Sequence, residues 1–437
     1  MRVLLVEPPY YSFMNYDKWY YPVSLTQLAA VAHAAKHEVK VYDGDKYFPV
    51  DPSTKDRSVY SKKQNMYSDN VDNLDYSIWK HFKRVLEDYN PEVVGISTYT
   101  FKLRSAINIL KIVREFNPAI KICVGGAHAT AVPESLISNE YIDTVFIGHA
   151  DMSFPEWLAN SCPKGIIAGD SSKLDLDNTP YVRRQALLFP ERYSSYDLCL
   201  VMASRGCLGR CTFCSELFMW SGRPKYRTTA SMSSELTELA EDWNLKNEPI
   251  LLGTPSFGEI PAESKRIAKV MKDFGLSWAT SLRWSNITKE LLDYYLSCGC
   301  YEINIGLESG TDKILKYMKK SCNRKMIKEK TQLLKSVGVR WRICTIVGFP
   351  IETIEDMEET VRFAEELSPS YFSLNSLSPL PGTQVYKDIP GMTVELASSV
   401  SQLNPNYCFS THMDLETYRD LFHKLSERVD KYNNANK

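Results

Sequence analysis

Arg205-Gly-Cys-Leu-Gly-Arg-Cys-Thr-Phe-Cys-Ser215 is the stretch on which the reading of this chain turns. It puts Cys207, Cys211 and Cys214 within eight residues, directly after the apolar run Cys199–Ala203. Thiolates are the usual protein ligands of iron–sulfur clusters. A short loop can offer three thiols to three irons of a cubane and leave the fourth iron open. Gly206 and Gly209 give the backbone the freedom such a wrap needs. A closed zinc site would require a fourth ligand, commonly from a second CxxC-like pair. No such pair follows, since Cys298 and Cys300 are separated by one residue. Chance clustering of core cysteines is the remaining alternative.

Outward from this loop the chain alternates short apolar runs with helical periods. Strands are predicted at 199–203, 249–253, 277–282, 301–306, 342–347 and 371–377, with helices between them. Such βα units point to a partial (β/α)6 barrel over 198–387, with chemistry at the C-terminal mouth of the strands. Ahead of it, residues 1–160 carry five strand-like runs beginning with Arg2–Glu7, again alternating with helices. That pattern predicts a flavodoxin-like doubly wound parallel sheet, with ligands beyond the carboxyl ends of its strands. Residues 44–75 read as a polar surface excursion, and 161–197, rich in proline and acid, as a linker. Residues 388–437 read as a helical extension with a helix over 414–431.

CxxxCxxC after the first strand of a βα barrel resembles the radical SAM superfamily. Gly306-Leu-Glu-Ser-Gly310, Val347-Gly-Phe-Pro-Ile-Glu-Thr353 and Pro379-Leu-Pro-Gly-Thr383 resemble the superfamily's GxESG, GxPxET and PxPGT segments. The resemblance implies a [4Fe–4S] cluster on Cys207, Cys211 and Cys214. S-adenosylmethionine would bind the open iron and yield a 5′-deoxyadenosyl radical. It places Phe213 beside the adenine, makes Glu308 and Ser309 S-adenosylmethionine contacts, and brings Arg342 or Arg340 to its carboxylate. Two segments depart from the pattern. Leu252-Gly-Thr-Pro-Ser-Phe-Gly258 has no GGE-like motif, and Arg283-Trp-Ser285 stands where many relatives have Arg-x-Asp.

The first domain resembles the cobalamin-binding domain of the B12-dependent class. The matching segments are Val124-Gly-Gly-Ala-His-Ala-Thr130, Pro133-Glu134 and Asp143-Thr-Val-Phe-Ile-Gly148, with the opening Pro22–Ala30 and His37–Asp43. Small residues at strand ends let a flat macrocycle approach the backbone. Ser97, Thr98, Gly125, Gly126 and His128 are therefore candidate cobalamin contacts. His149, in the stretch Gly148-His-Ala-Asp151, could ligate cobalt. No DxHxxG motif is present, and no GxGxxG follows the first strand, so a nicotinamide site is not indicated.

The resemblance implies cobalamin-dependent methylation of an unactivated carbon in a small molecule or peptide. An electron donor such as flavodoxin or ferredoxin would act with it. The alternative is a cobalamin-independent radical SAM cyclase or oxidoreductase with a structural Rossmann domain. A tRNA methylthiotransferase would need a second cysteine trio upstream, and only Cys123 and Cys162 precede Cys199. A formal net charge of −1 over 437 residues gives no general grip on nucleic acid. No apolar run reaches the ~20 residues of a membrane span, and odd, scattered cysteines suit a reducing cytoplasm.

Overall fold

The computed structural model describes residues 1–46, 57–220, 222–245 and 247–436. Two six-stranded parallel sheets carry the chain. The first consists of β1 (Arg2–Glu7), β2 (Glu38–Asp43), β3 (Val93–Ser97), β4 (Lys121–Gly125), β5 (Thr144–Ile147) and β6 (Gly165–Ala168), in the order β2-β1-β3-β4-β5-β6. This is the doubly wound order, with its switch point between β1 and β3.

The strands read as near-continuous apolar runs because both faces of the sheet are covered. Alternate residues divide between the faces. Leu4, Val6, Val94, Ile96 and Val124 pack with the helices Ser77–Tyr89 and Leu103–Phe116. Val3, Leu5, Cys123 and Phe146 face the helices Val23–Ala34 and Ser153–Ala159.

The expected linker contributes a strand. β6 lies within 161–197 and pairs in parallel with all of β5. Four residues with an exposed–half-buried alternation are too short a signal to distinguish from loop. The expected excursion at 44–75 is also more ordered than its polarity suggests. Helices Arg57–Ser61 and Asn65–Asn70 occupy part of it, and Tyr60, Tyr67 and Val71 are buried. Its residues 47–56 lie outside those described.

The second sheet contains β7 (Leu200–Met202), β10 (Ile250–Gly253), β11 (Trp278–Leu282), β12 (Cys300–Glu308), β13 (Arg340–Val347) and β14 (Tyr371–Ser376), in that order across the sheet. A two-stranded antiparallel ribbon, β8 (Ser204–Arg205) with β9 (Lys225–Tyr226), follows β7. The sheet is a partial barrel, with β7 and β14 as its unpaired edges.

Both edges are covered by side chains, as exposed edges must be. Tyr21 Oη and Arg184 donate to the Leu200 carbonyl. Across the gap, Asn433 accepts from Phe372 N–H at 3.0 Å and donates to its carbonyl at 2.8 Å, acting like one residue of an added strand. Asn433 belongs to the C-terminal helix Leu415–Ala435. That helix also reaches the first domain, where Asp430 accepts from Ser58 N–H and Lys62 pairs with Glu427. Among the described residues no helix is long and apolar enough to cross a membrane.

Candidate active site between the two sheets

The cysteine loop runs from β8 to the short helix Glu216–Met219 at the C-terminal mouth of the barrel. All three thiols are half-buried. Gly206 has φ +91°, and a β-carbon there would lie 2.2 Å from the Trp220 indole nitrogen, so this turn requires glycine. Gly209 N–H points at Cys207 Sγ (3.2 Å). Burial raises the Cys207 thiol and pushes that of Cys214 up to about 11. Loading a metal centre must therefore displace protons.

Among the described residues no three His, Cys, Asp or Glu side chains gather closely enough to hold one metal ion. The three thiols nevertheless feel one another electrostatically. Thiols spread around a loop suit separate irons of a cluster better than one tetrahedral ion. Phe213 meets Phe349 edge-on, with ring centroids 6.1 Å apart.

Glu308 closes β12 in the left-handed region, at φ +66°, where the β12–β13 register shifts. A strained backbone of this kind persists only where its surroundings hold it in place. Its carboxylate accepts from Lys320 Nζ at 2.7 Å, and both side chains are largely buried. Burial alone would lower the Lys320 ammonium, but Glu308 holds it above the usual range. Gly306 makes room for the pair, since a β-carbon there would lie 2.0 Å from Glu308 Oε1. Cys211 and Cys322 also lie in the electrostatic surroundings of Lys320.

Arg283, directly after β11, pairs with Glu259 at 3.4 Å, and Glu259 lies 3.7 Å from Cys207 Sγ. Lys320 and Glu259 carried no motif of their own in the sequence; Arg283 stands at the Arg-x-Asp position, directly after a predicted strand, and that was the one available signal.

Two expected S-adenosylmethionine contacts lie elsewhere. Ser309 is fully buried and hydrogen-bonds Thr360 Oγ1 (3.2 Å), tying the loop to the helix Ile354–Leu367. Arg342 lies near the N-terminal end of β13, five residues before Val347, and pairs with Glu302 at 2.9 Å. Arg340 pairs with the same Glu302 oxygen at 3.0 Å. Neither guanidinium is at the mouth. Strand length separates Arg342 from it by roughly 16 Å and Arg340 by roughly 23 Å, at about 3.3 Å per residue.

A cavity of about 470 Å³ opens between the strand ends of the first sheet and the cysteine loop. Glu7, Ser97, Gly125, Gly126 and Gly148 line it from one side, and Met202, Arg205 and Met219 from the other. It continues inward between Leu5, Gly95 and Phe146 of the sheet and Leu25 and Leu28 of the first long helix. Thr98 and His128 do not line it. Thr98 is buried and donates to the Gly125 carbonyl (2.7 Å), while His128 is buried with Nδ1 3.1 Å from Thr100 Oγ1. Residues next to the strand ends read as ligand contacts in sequence, but their side chains hold the βα turn together.

Arg205 forms a two-pronged pair with Asp151, both bonds 2.8 Å, so the cysteine loop and the loop after β5 of the first sheet are joined. Arg205 also meets His149 Nδ1 at 3.2 Å. A guanidinium can only donate, so Nδ1 accepts and the ring proton belongs on Nε2. Burial, reinforced by Arg205, pushes the imidazole down to about 4, leaving it neutral. Nε2 lies near the Met219 backbone without a well-formed hydrogen bond. In this arrangement Nδ1 is taken by Arg205 and Nε2 carries its proton toward the Met219 backbone, so His149 presents no lone pair for cobalt.

Family models match both halves: "Radical SAM superfamily" over residues 201–364 and "B12 binding domain" over residues 61–158. This chain is a radical SAM enzyme of the B12-binding-domain family. Its cofactors are accordingly a [4Fe–4S] cluster, S-adenosylmethionine and cobalamin. Cytidylyl-2-hydroxyethylphosphonate methyltransferase of Streptomyces wedmorensis is 23% identical, over 89% of this chain and 81% of its own length. An uncharacterized methyltransferase of Pyrococcus horikoshii is 24% identical, over 89% of this chain and 83% of its own. The radical S-adenosylmethionine methyltransferase TsrM from Kitasatospora setae shares the fold, with a TM-score of 0.67, 17% identity and coverage of 97% of this chain and 90% of that one.

For this radical SAM enzyme, Glu308→Gln tests the mouth. It replaces a charged acceptor with a neutral one and strands the Lys320 ammonium. A charged hydrogen bond of about 1.5–3 kcal/mol corresponds to roughly 10–100-fold weaker S-adenosylmethionine binding, with the cluster retained. Equal affinities for the two proteins in anaerobic calorimetry would remove Glu308 from the binding site.

Proposed function

We propose that this enzyme transfers a methyl group to an unactivated carbon of its substrate, using both cofactor sites. The observation that carries this reading is the cavity between the strand ends of the first sheet and Arg205, Glu216 and Met219, the residues that flank the cysteine loop of the barrel. When bound, the cluster supplies one-electron cleavage of S-adenosylmethionine, and the corrinoid supplies methyl transfer. The methyltransferase relatives named above support the same outcome.

The chain's residues bind and position these groups. Cys207, Cys211 and Cys214 would hold the cluster, and Gly206 sets the turn that presents them. Glu308 and Lys320, with Arg283, are the charged groups placed to meet the amino and carboxylate ends of S-adenosylmethionine. Phe213 would flank its adenine. On the other side, Ser97, Gly125 and Gly126 leave room at the strand ends for a flat macrocycle. The apolar extension between Gly95 and the helix Val23–Ala34 suits the corrinoid's nucleotide arm. Arg205 and Asp151 fix the distance between the two sites, and this enclosure limits water at the reacting groups.

Anaerobic reconstitution with iron, sulfide and hydroxocobalamin, followed by gel filtration and absorption spectroscopy, reports both groups together. Co-elution of cluster and corrinoid is expected. Protein that holds the cluster and cleaves S-adenosylmethionine but retains no corrinoid would overturn the methyl-transfer reading. Cobalamin-free radical chemistry would then account for the enzyme better.

A further inference from the structure

Side chains on alternate positions of the barrel strands face its lumen. Their register sets Ser281, Asn304 and Arg342 on one rung. One residue pair farther toward the mouth lies Cys344, which is exposed although β13 is hydrogen-bonded on both sides, to β12 and β14. Exposure in the middle of such a strand means that the lumen is open at that level. Below it the chemistry changes. Arg340 and Arg342 share the one carboxylate of Glu302, which is itself buried. Both contacts are made through Nε, so the Nη forks are placed for a second acceptor. The neighbouring carboxylate, Asp197, is already committed to Lys46 at 3.2 Å and to Tyr20 N–H at 3.1 Å.

Two backbone irregularities bring tyrosines to the same place. A register shift at Trp278/Ala279 leaves Tyr301 as an extra residue in β12, and a bulge of this kind re-aims a side chain. Tyr301 thereby enters the surroundings of Tyr196, Arg342 and Arg340. Tyr20, from the first domain, adopts φ +68° and lies near Arg342, with its hydroxyl 3.4 Å from that of Tyr196. Burial pushes Tyr301 up to about 12 and raises Tyr20, so both keep their protons; Tyr20 donates its own to Tyr196, whose hydroxyl, with that of Tyr301, is left to donate to an anion. Arg342 also lies over the Tyr371 ring, 5.4 Å from its centroid.

We infer that this basket of two guanidiniums and tyrosine hydroxyls binds the anionic end, phosphoryl or carboxylate, of an elongated substrate whose reacting carbon lies up the lumen at the mouth. The inference rests on the lumen being the substrate channel of the reaction proposed above. It implies an anion roughly 16 Å from the reacting end, from the strand rise over the five residues between Arg342 and Val347.

The test uses Cys344 as a reporter beside the basket. The anaerobically reconstituted full chain is treated with N-ethylmaleimide, and alkylation of the Cys344 peptide is timed by mass spectrometry. Inorganic pyrophosphate or succinate is added, against sodium chloride at matched ionic strength. Protection by pyrophosphate assigns a phosphoryl end, and protection by succinate a carboxylate end. Arg342→Gln should raise the half-protecting concentration at least tenfold. Arg340 still neutralises Glu302 in that variant, so the fold is spared an unpaired buried charge. Arg342→Lys, which keeps the charge but not the fork, should fall between the two. No protection of the wild type by either anion overturns the inference, as does equal protection of wild type and Arg342→Gln. The assay requires neither corrinoid nor methyl transfer, so its failure is distinct from failure of the proposed reaction.

Discussion

Cys207→Ala, Cys211→Ala and Cys214→Ala should each abolish stable cluster loading, taking iron from about four per chain toward zero. S-adenosylmethionine cleavage should disappear with it. Each thiol sits on the same loop between β8 and the helix Glu216–Met219, so no neighbouring cysteine can replace the lost one without moving the turn at Gly206. Cys298 and Cys300 are buried in the barrel core, and Cys408 packs against it. Alanine at those positions should leave the iron content and the charge-transfer absorption near wild type. Cys322 is the stringent control, because it shares the surroundings of Cys211, Lys320 and Glu308. Cys322→Ala should keep the cluster. If it loses iron while Cys207→Ala retains it, the ligand assignment fails.

The second large effect concerns the corrinoid, and two adjacent glycines separate its causes. Gly126 has φ +101°, and a β-carbon there would lie 2.9 Å from the Thr98 carbonyl oxygen. Gly126→Val should therefore damage the turn itself. Its backbone, φ +101° and ψ −171°, is one that essentially only glycine adopts, and it costs an L-residue about 1–3 kcal/mol. Each kcal/mol lowers Tm by about 2–4 °C in a domain of this size class. Gly125 is different. Its backbone is ordinary, and a β-carbon would touch Phe146 Cβ at an acceptable 3.5 Å. Because Gly125 also lines the cavity, the two methyl groups of Gly125→Val fill space a macrocycle would need. Gly125→Val should lose corrinoid retention while Tm of the corrinoid-free protein and the iron–sulfur spectrum stay unchanged. Gly126→Val should lose both corrinoid and stability. Full retention by Gly125→Val would show that the strand ends do not hold the macrocycle.

The sequence by itself determined the parts of this protein that local chemistry encodes. Three thiols at CxxxCxxC spacing identify the cluster loop without reference to any distant residue. Apolar runs alternating with helical periods locate the barrel strands within one or two residues, because the residues that face the core under the helices must be apolar. Weak or distant signals did not survive translation into sequence. β6 is a four-residue edge strand recognisable only by its pairing with β5. Ser309, Thr98 and His128 lie beside strand ends, but only packing shows them turned into the turns that hold those ends.

The active-site charges needed the tertiary structure most. Lys320 meets Glu308 across twelve residues, and Arg205 meets Asp151 across fifty-four. No periodicity relates such positions, since each pair forms only after a strand, a loop and a helix have taken their places. Arg342 shows the converse. The family resemblance implied contact with the S-adenosylmethionine carboxylate, yet parallel register fixes its height in the barrel and sets it on Glu302, far from the mouth. Chemical identity was legible residue by residue; which groups face one another was decided by strand register and the seating of one sheet against the other.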